Sequence, residues 1–160
     1  MEQNETVERI RSCMFMESAC AAVYHLLALN FSKESELWSQ LAMDEEAHAE
    51  IIARGMKFTE PEYFTDFEAP ADLKDIKKTI DYAAEFKKLL VKDQVSLKGA
   101  FEKVIDLLEL KNAGYQNDLI GKEKEERIRR VFERIYEIDS SNVSLVRAVM
   151  SKYDFSKAAG

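Results

Sequence analysis

The stretch Leu37-Trp38-Ser39-Gln40-Leu41-Ala42-Met43-Asp44-Glu45-Glu46-Ala47-His48-Ala49-Glu50-Ile51-Ile52 decides the reading of this chain. Its apolar residues recur at helical spacing, at 37, 38, 41, 51 and 52. Glu45 and His48 interrupt that stripe from within. At about 100° per residue they lie one turn apart, on the same face as Leu41 and Ile52. A carboxylate and an imidazole on a buried face need partners, because burying an unpaired charge is costly. A metal ion is the partner that a Glu-x-x-His spacing suggests, since it points both donors inward from one helix of a bundle.

The same pattern returns later in the chain. A shift of 94 residues places Leu37 on Val131, Trp38 on Phe132, Leu41 on Ile135, Ile51 on Leu145, Ile52 on Val146 and Met56 on Met150. The apolar residues set this register, and in it Glu45 falls on Asp139 and His48 on Asn142. A second helix thus carries a polar pair at i, i+3 inside its own apolar stripe. The first helix supplies a third element. Between Ser12 and Phe31 its only acid is Glu17, set among Cys13, Met14, Cys20, Ala21 and Tyr24. A shift of 92 places Glu109 opposite Glu17, and matches Cys13 with Ile105, Met16 with Leu108 and Leu27 with Leu119.

Helical periodicity dominates elsewhere too, and five glycines and two prolines leave little material for sheet turns. The expected helices run over about 5–30, 33–55, 72–91, 95–118 and 123–153. Ser32 reads as an N-cap and Gly55 as a C-cap. Between Lys57 and Ala71 the periodicity fails, and Pro61 and Pro70 bracket an aromatic crossover with Phe58, Tyr63, Phe64 and Phe67. Asp72 can cap a shorter helix with Leu73, Ile76, Ile80, Ala83 and Leu90 on one face. Asp93 or Ser96 can start the next, Gly121 marks a turn, and Asp154 to Gly160 reads as a frayed tail. The expected fold is all-α: one domain, a four-helix bundle with a long crossover and an extra short helix.

The 160 residues suffice for one sizeable core. A composition 46% hydrophobic and 33% charged reads as globular. A net charge of −7 argues against nucleic acid and against an anionic membrane surface. The N-terminus starts polar and acidic, unlike a secretory signal, and the apolar run from Ala19 to Phe31 is short for a bilayer span. Cys13 and Cys20 are about 10.5 Å apart along one helix, too far for a disulfide. Two unpaired thiols suit a reducing cytoplasm. No Cys-x-x-Cys pair exists to build a thiolate metal site.

Glu17, Tyr24 seven residues later, and the Leu-Trp-Ser-Gln-Leu-Ala-Met-Asp-Glu-Glu-Ala-His run over 37–48 carry a resemblance. The sequence resembles the ferritin-like superfamily, in particular its rubrerythrin-like branch, over about residues 5–153. The resemblance implies a ferritin-like bundle with a two-iron site and chemistry on peroxide or oxygen. Glu17, Glu45 and His48 match the ligands of its first half, and Glu109 and Asp139 match the carboxylates of its second. Asn142 stands where the family has a second histidine. Tyr24 would be a hydrogen-bond donor behind the ligands. The rubredoxin-like domain of full rubrerythrins is missing from the sequence, so an external electron-donor protein is implied, as is a homodimer.

Two other readings stay open. A single ion, iron or another divalent metal, could sit at Glu17, Glu45 and His48 without turnover. Alternatively, the bundle could act through assembly alone, with its polar core a relic. His25 reads as an ordinary histidine, Cys13 and Cys20 as small core residues, and Glu46 and Glu50 as outward charges.

Overall fold

Long helices form here because every apolar stripe has a helical period and finds a neighbour to cover it. The computed structural model describes residues 2–58, 72–115 and 126–157. Five α-helices make up the described fold: α1 Glu2–Asn30, α2 Ser35–Phe58, α3 Leu73–Val91, α4 Leu97–Gly114 and α5 Glu126–Met150. Among the described residues there is no strand.

The helices close into a ring. α1 packs on α2, α2 on α5, α5 on α4, α4 on α3, and α3 returns to α1. The short helix expected as an accessory is therefore a member of the ring, filling the gap between α1 and α4. Its buried face, Ile76, Thr79, Ala83, Phe86 and Leu90, has the three- and four-residue spacing that such a position requires. Asn30 ties it to the end of α1, donating to the Leu90 carbonyl at 3.0 Å. The lysines of its outer face form exposed pairs such as Lys77–Asp81. Exposed pairs of that kind add little stability.

α1 must satisfy two neighbours, and its composition follows. Ile10, Cys13, Met16, Cys20, Val23, Tyr24 and Leu27 are all buried, a face wider than a single stripe. Val7–Asn30 is long and apolar enough, by composition, to cross a bilayer. Packing against both α2 and α3 accounts for that apolarity inside the fold.

Several boundaries differ from the sequence expectation, each for a local reason. A 3-10 turn, Ser32–Glu34, intervenes before α2, so Ser32 does not cap that helix. Glu34 in this turn is buried and accepts a hydrogen bond from the Tyr153 hydroxyl. α2 runs through Gly55 to Phe58, and no described glycine has the positive φ of a left-handed cap. Asp72 caps α3, its carboxylate accepting from the Lys74 amide at 2.7 Å. Asp93 takes a positive φ of 52° in the turn, and Ser96 caps α4 through the Gly99 amide. Of the tail expected to fray, residues 158–160 lie outside the described residues, and Phe155–Lys157 forms a 3-10 turn. Aromatic contact holds it, with the rings of Tyr153 and Phe155 lying 5.6 and 6.4 Å from that of Phe101. The expected crossover from Pro61 through Tyr63, Phe64 and Phe67 to Pro70 lies outside the described residues, as do Leu119, Gly121 and the acids Glu123 and Glu125.

One end of the core is closed by Trp38 against Phe101, with ring centroids 5.1 Å apart. Towards the other end Tyr115 packs on Phe132 at 5.5 Å. Polar side chains occupy the space between.

Candidate metal centre

Four helices each send one or two polar groups into the core at the same level. α1 contributes Glu17 from between Cys13 and Cys20, and α2 contributes Glu45 and His48. Lys111 comes from the last turn of α4, with Tyr115 just beyond it, and Asp139 from the middle of α5. Glu17, Glu45 and Asp139 are fully buried, and Lys111 and His48 are each 1% exposed.

The Lys111 ammonium is the hub. Its Nζ donates to Glu17 Oε2 at 2.7 Å and to Glu45 Oε2, and lies 3.0 Å from Asp139 Oδ2. The Tyr115 hydroxyl donates to the other Glu17 oxygen, Oε1. His48 faces the same three acids. Its Nδ1 lies 3.7 Å from Glu17 Oε2, 3.6 Å from Glu45 Oε2 and 3.7 Å from Asp139 Oδ1. Those separations exceed hydrogen-bond range. Both ring nitrogens of His48 lack a hydrogen-bond partner, as do Glu45 Oε1 and both Asp139 oxygens.

Charge in this dry core is shared unequally. Burial opposes the ammonium of Lys111, but Asp139, Glu17 and Glu45 outweigh it and hold the group well above the usual lysine range. Burial also opposes ionisation of Glu17, yet Lys111, together with Glu45 and His48, outweighs that and holds its carboxyl well below the usual range. Glu45 and Asp139 go the other way. Burial pushes Glu45 well up, and the charge of Glu17 adds to it against the pull of Lys111. Asp139 is raised by burial and by the other two acids. One ammonium thus favours one ionised carboxylate, Glu17, and burial opposes ionisation of the other two acids. A group cut off from solvent is driven towards neutrality in this way.

The structure brings Glu17, Glu45, His48 and Asp139 together. It does not bring the remaining sequence candidates with them. Glu109 is exposed and accepts from Arg147 at 2.5 Å. Asn142 is buried one turn beyond Asp139, but its amide donates to Asp44 at 3.1 Å. Tyr24 is buried with its hydroxyl unpartnered, and Tyr115 is the phenol that donates to the acids. His25 is exposed and bonded to Glu46 at 2.7 Å. Cys13 and Cys20 are free and buried, and burial raises both thiols.

Lys111 is the residue that the sequence reading missed, although a signal for it was present. The 94-residue shift that aligns α2 with α5 also aligns α1 with α4. It pairs Ile10 with Val104, Cys13 with Leu107, Ala21 with Tyr115 and Glu17 with Lys111. The 92-residue shift was drawn to Glu109 because a carboxylate was sought there. No protein-family model, curated protein or solved structure matches the chain.

Glu17, Glu45 and His48 offer one ligand atom each, all within 4.8 Å of one another. Two carboxylate oxygens and an imidazole nitrogen suit Fe(II), Mn(II) or Zn(II). The cluster also depends on Tyr115, whose hydroxyl donates to the ionised acid. Tyr115→Phe is expected to lower the unfolding free energy by about 2 kcal/mol, the usual size for a hydrogen bond to a buried charge. Urea titration of the metal-free protein measures the difference.

Proposed function

We propose that this chain is a ferritin-like, rubrerythrin-type bundle whose core binds one divalent metal ion through Glu17, Glu45 and His48. The observation that supports this most is His48. A buried imidazole with two unpartnered nitrogens has a lone pair to give, and it faces two carboxylates, Glu17 on α1 and Glu45 one turn away on its own helix. An ion there would satisfy that lone pair and the unpartnered oxygen of Glu45 together. Iron in this position would supply one-electron redox chemistry, and zinc or manganese would supply Lewis acidity.

The donors support one ion over the two-iron oxidoreductase of peroxide or oxygen that the resemblance implies. Its second set of donors is dispersed: Glu109 lies at the surface on Arg147, Asn142 is engaged by Asp44, and Asp139 faces an ammonium. A second reading has support of its own. Lys111 sits on the very oxygens that face His48, so it could serve as a permanent internal cation in a bundle that acts by assembly. Self-association would also cover Phe15, Leu29 and Met43, large apolar side chains exposed on α1 and α2.

Elemental analysis after anaerobic loading with Fe(II), and separately with Zn(II), decides between them. One ion per chain is expected, falling to none in His48→Ala while the far-ultraviolet helical signal is kept. No bound metal in the folded wild type would overturn the metal reading in favour of assembly.

A further inference from the structure

We propose that Lys111 is a resident cation holding the second ion position of this core, so that the cluster takes one divalent ion and excludes another. The inference builds on the reading of Glu17, Glu45 and His48 as an ion site, and it assigns a role to a residue outside that set.

Position comes first. The ammonium contacts three carboxylates from three helices, α1, α2 and α5, as a bridging metal ion would. Its two hydrogen bonds and its 3.0 Å approach to Asp139 put it where an ion bridging those three acids would sit. Chemistry comes second. A protonated amine has donors only, so it can replace a cation but cannot ligate one. Arithmetic comes third. With all three acids ionised the cluster carries three negative charges, and Lys111 supplies one positive. One divalent ion completes neutrality with His48 uncharged, whereas a second would leave a buried excess of two positive charges, which a dry interior strongly disfavours.

The oxygens that a second ion would need are already in place. Both Asp139 oxygens and Glu45 Oε1 are buried and lack a hydrogen bond. Removal of the ammonium frees Glu17 Oε2 and Glu45 Oε2 beside them. The methionine in Lys111→Met fills the volume of the lysine stem without its charge.

Zn(II) is the probe, counted by elemental analysis and by calorimetric titration of the full chain. Lys111→Met is expected to bind one ion more than the wild type, and Lys111→Met with Asp139→Asn to lose that extra ion. An unchanged count in folded Lys111→Met overturns the inference, and so does an extra ion that survives Asp139→Asn. Wild-type protein that binds no ion would refute the proposed function, and one ion gained by Lys111→Met would then show that Lys111 holds the first ion position and would overturn its assignment to a second. Should Lys111→Met be unfolded without metal, Zn(II) is expected to restore its helical signal, since an ion bound only by the folded state stabilises it. Lys111→Gln then serves as the second variant, its amide donating to the acids without charge. Absence of rescue in the first, or a wild-type count in the second, overturns the inference.

Discussion

Lys111→Met, compared with the wild type in the absence of metal at pH 7, is expected to lose about 3–5 kcal/mol of unfolding free energy. That is the usual cost of removing one partner from a buried ion pair. The charge left behind is the Glu17 carboxylate, which is fully buried and keeps the Tyr115 hydroxyl as a donor. The pH dependence follows from the direction of each shift. Glu45 and Asp139 are already raised in the folded state, and without the ammonium all three acids rise further. A folded state that holds protons more tightly than the unfolded chain loses stability as pH rises above the ordinary carboxylate range. The deficit of the variant should therefore grow from pH 5 to pH 8. The raised Lys111 works in the wild type alone. Its contribution is complete below the ordinary lysine value of about 10.4 and is lost as pH rises through the folded value. Urea unfolding of both proteins at pH 5, 7 and 8 tests this. A deficit as large at pH 5 as at pH 8 would show that Lys111 stabilises the core by packing its stem, not by its charge.

The outline of the fold was legible because burial leaves a periodic trace. The pairs matched by the 94-residue shift, Trp38 with Phe132, Leu41 with Ile135 and Ile52 with Val146, are all buried. Glu45 and Asp139 were legible for the same reason, as acids in an apolar stripe. Glu17 stood out as the lone acid of an apolar helix. Lys111 was harder to see, because a lysine near a helix C-terminus is ordinarily read as a surface charge placed to suit the helix dipole. Here Leu107, Leu108, Gly114 and Tyr115 surround it on the buried face of α4. The place of α3 in the ring was also hidden, since its stripe shows that one face is covered but not which helices cover it.

The legible part of the site was its set of negative charges, and the hidden part was the positive charge that balances them. A reading that expects metal ligands searches for acids and histidines and finds Glu109. A reading that first asks how three buried acids are neutralised searches α4 for a cation at the level of Glu17. Lys111 is the basic residue buried there.

Glu17→Gln and Glu45→Gln, two substitutions of the same shape on facing helices, should have very different effects at pH 7. Glu17 is the acid held ionised, because Lys111 keeps its carboxyl well below the usual range. Its contribution is present above the ordinary glutamate value of about 4.3 and is lost as pH falls through the folded value. Glu17→Gln removes that charge and leaves the ammonium beside two acids whose ionisation burial opposes. Either Glu45 or Asp139 must then ionise in its place. That places the expected loss near about 3 kcal/mol, the lower end for a broken buried pair. Glu45→Gln replaces a carboxyl whose ionisation burial opposes with an amide whose oxygen still accepts from Lys111. Its expected loss is below about 1 kcal/mol, the scale of one exchanged neutral hydrogen bond. Metal binding should not show the same asymmetry, because each acid contributes a ligand atom to the proposed ion site, and both variants should weaken it. Urea titration of the two metal-free variants, followed by Zn(II) titration of each, separates the roles. Equal losses of stability would mean that the negative charge is shared between the two glutamates and not carried by Glu17.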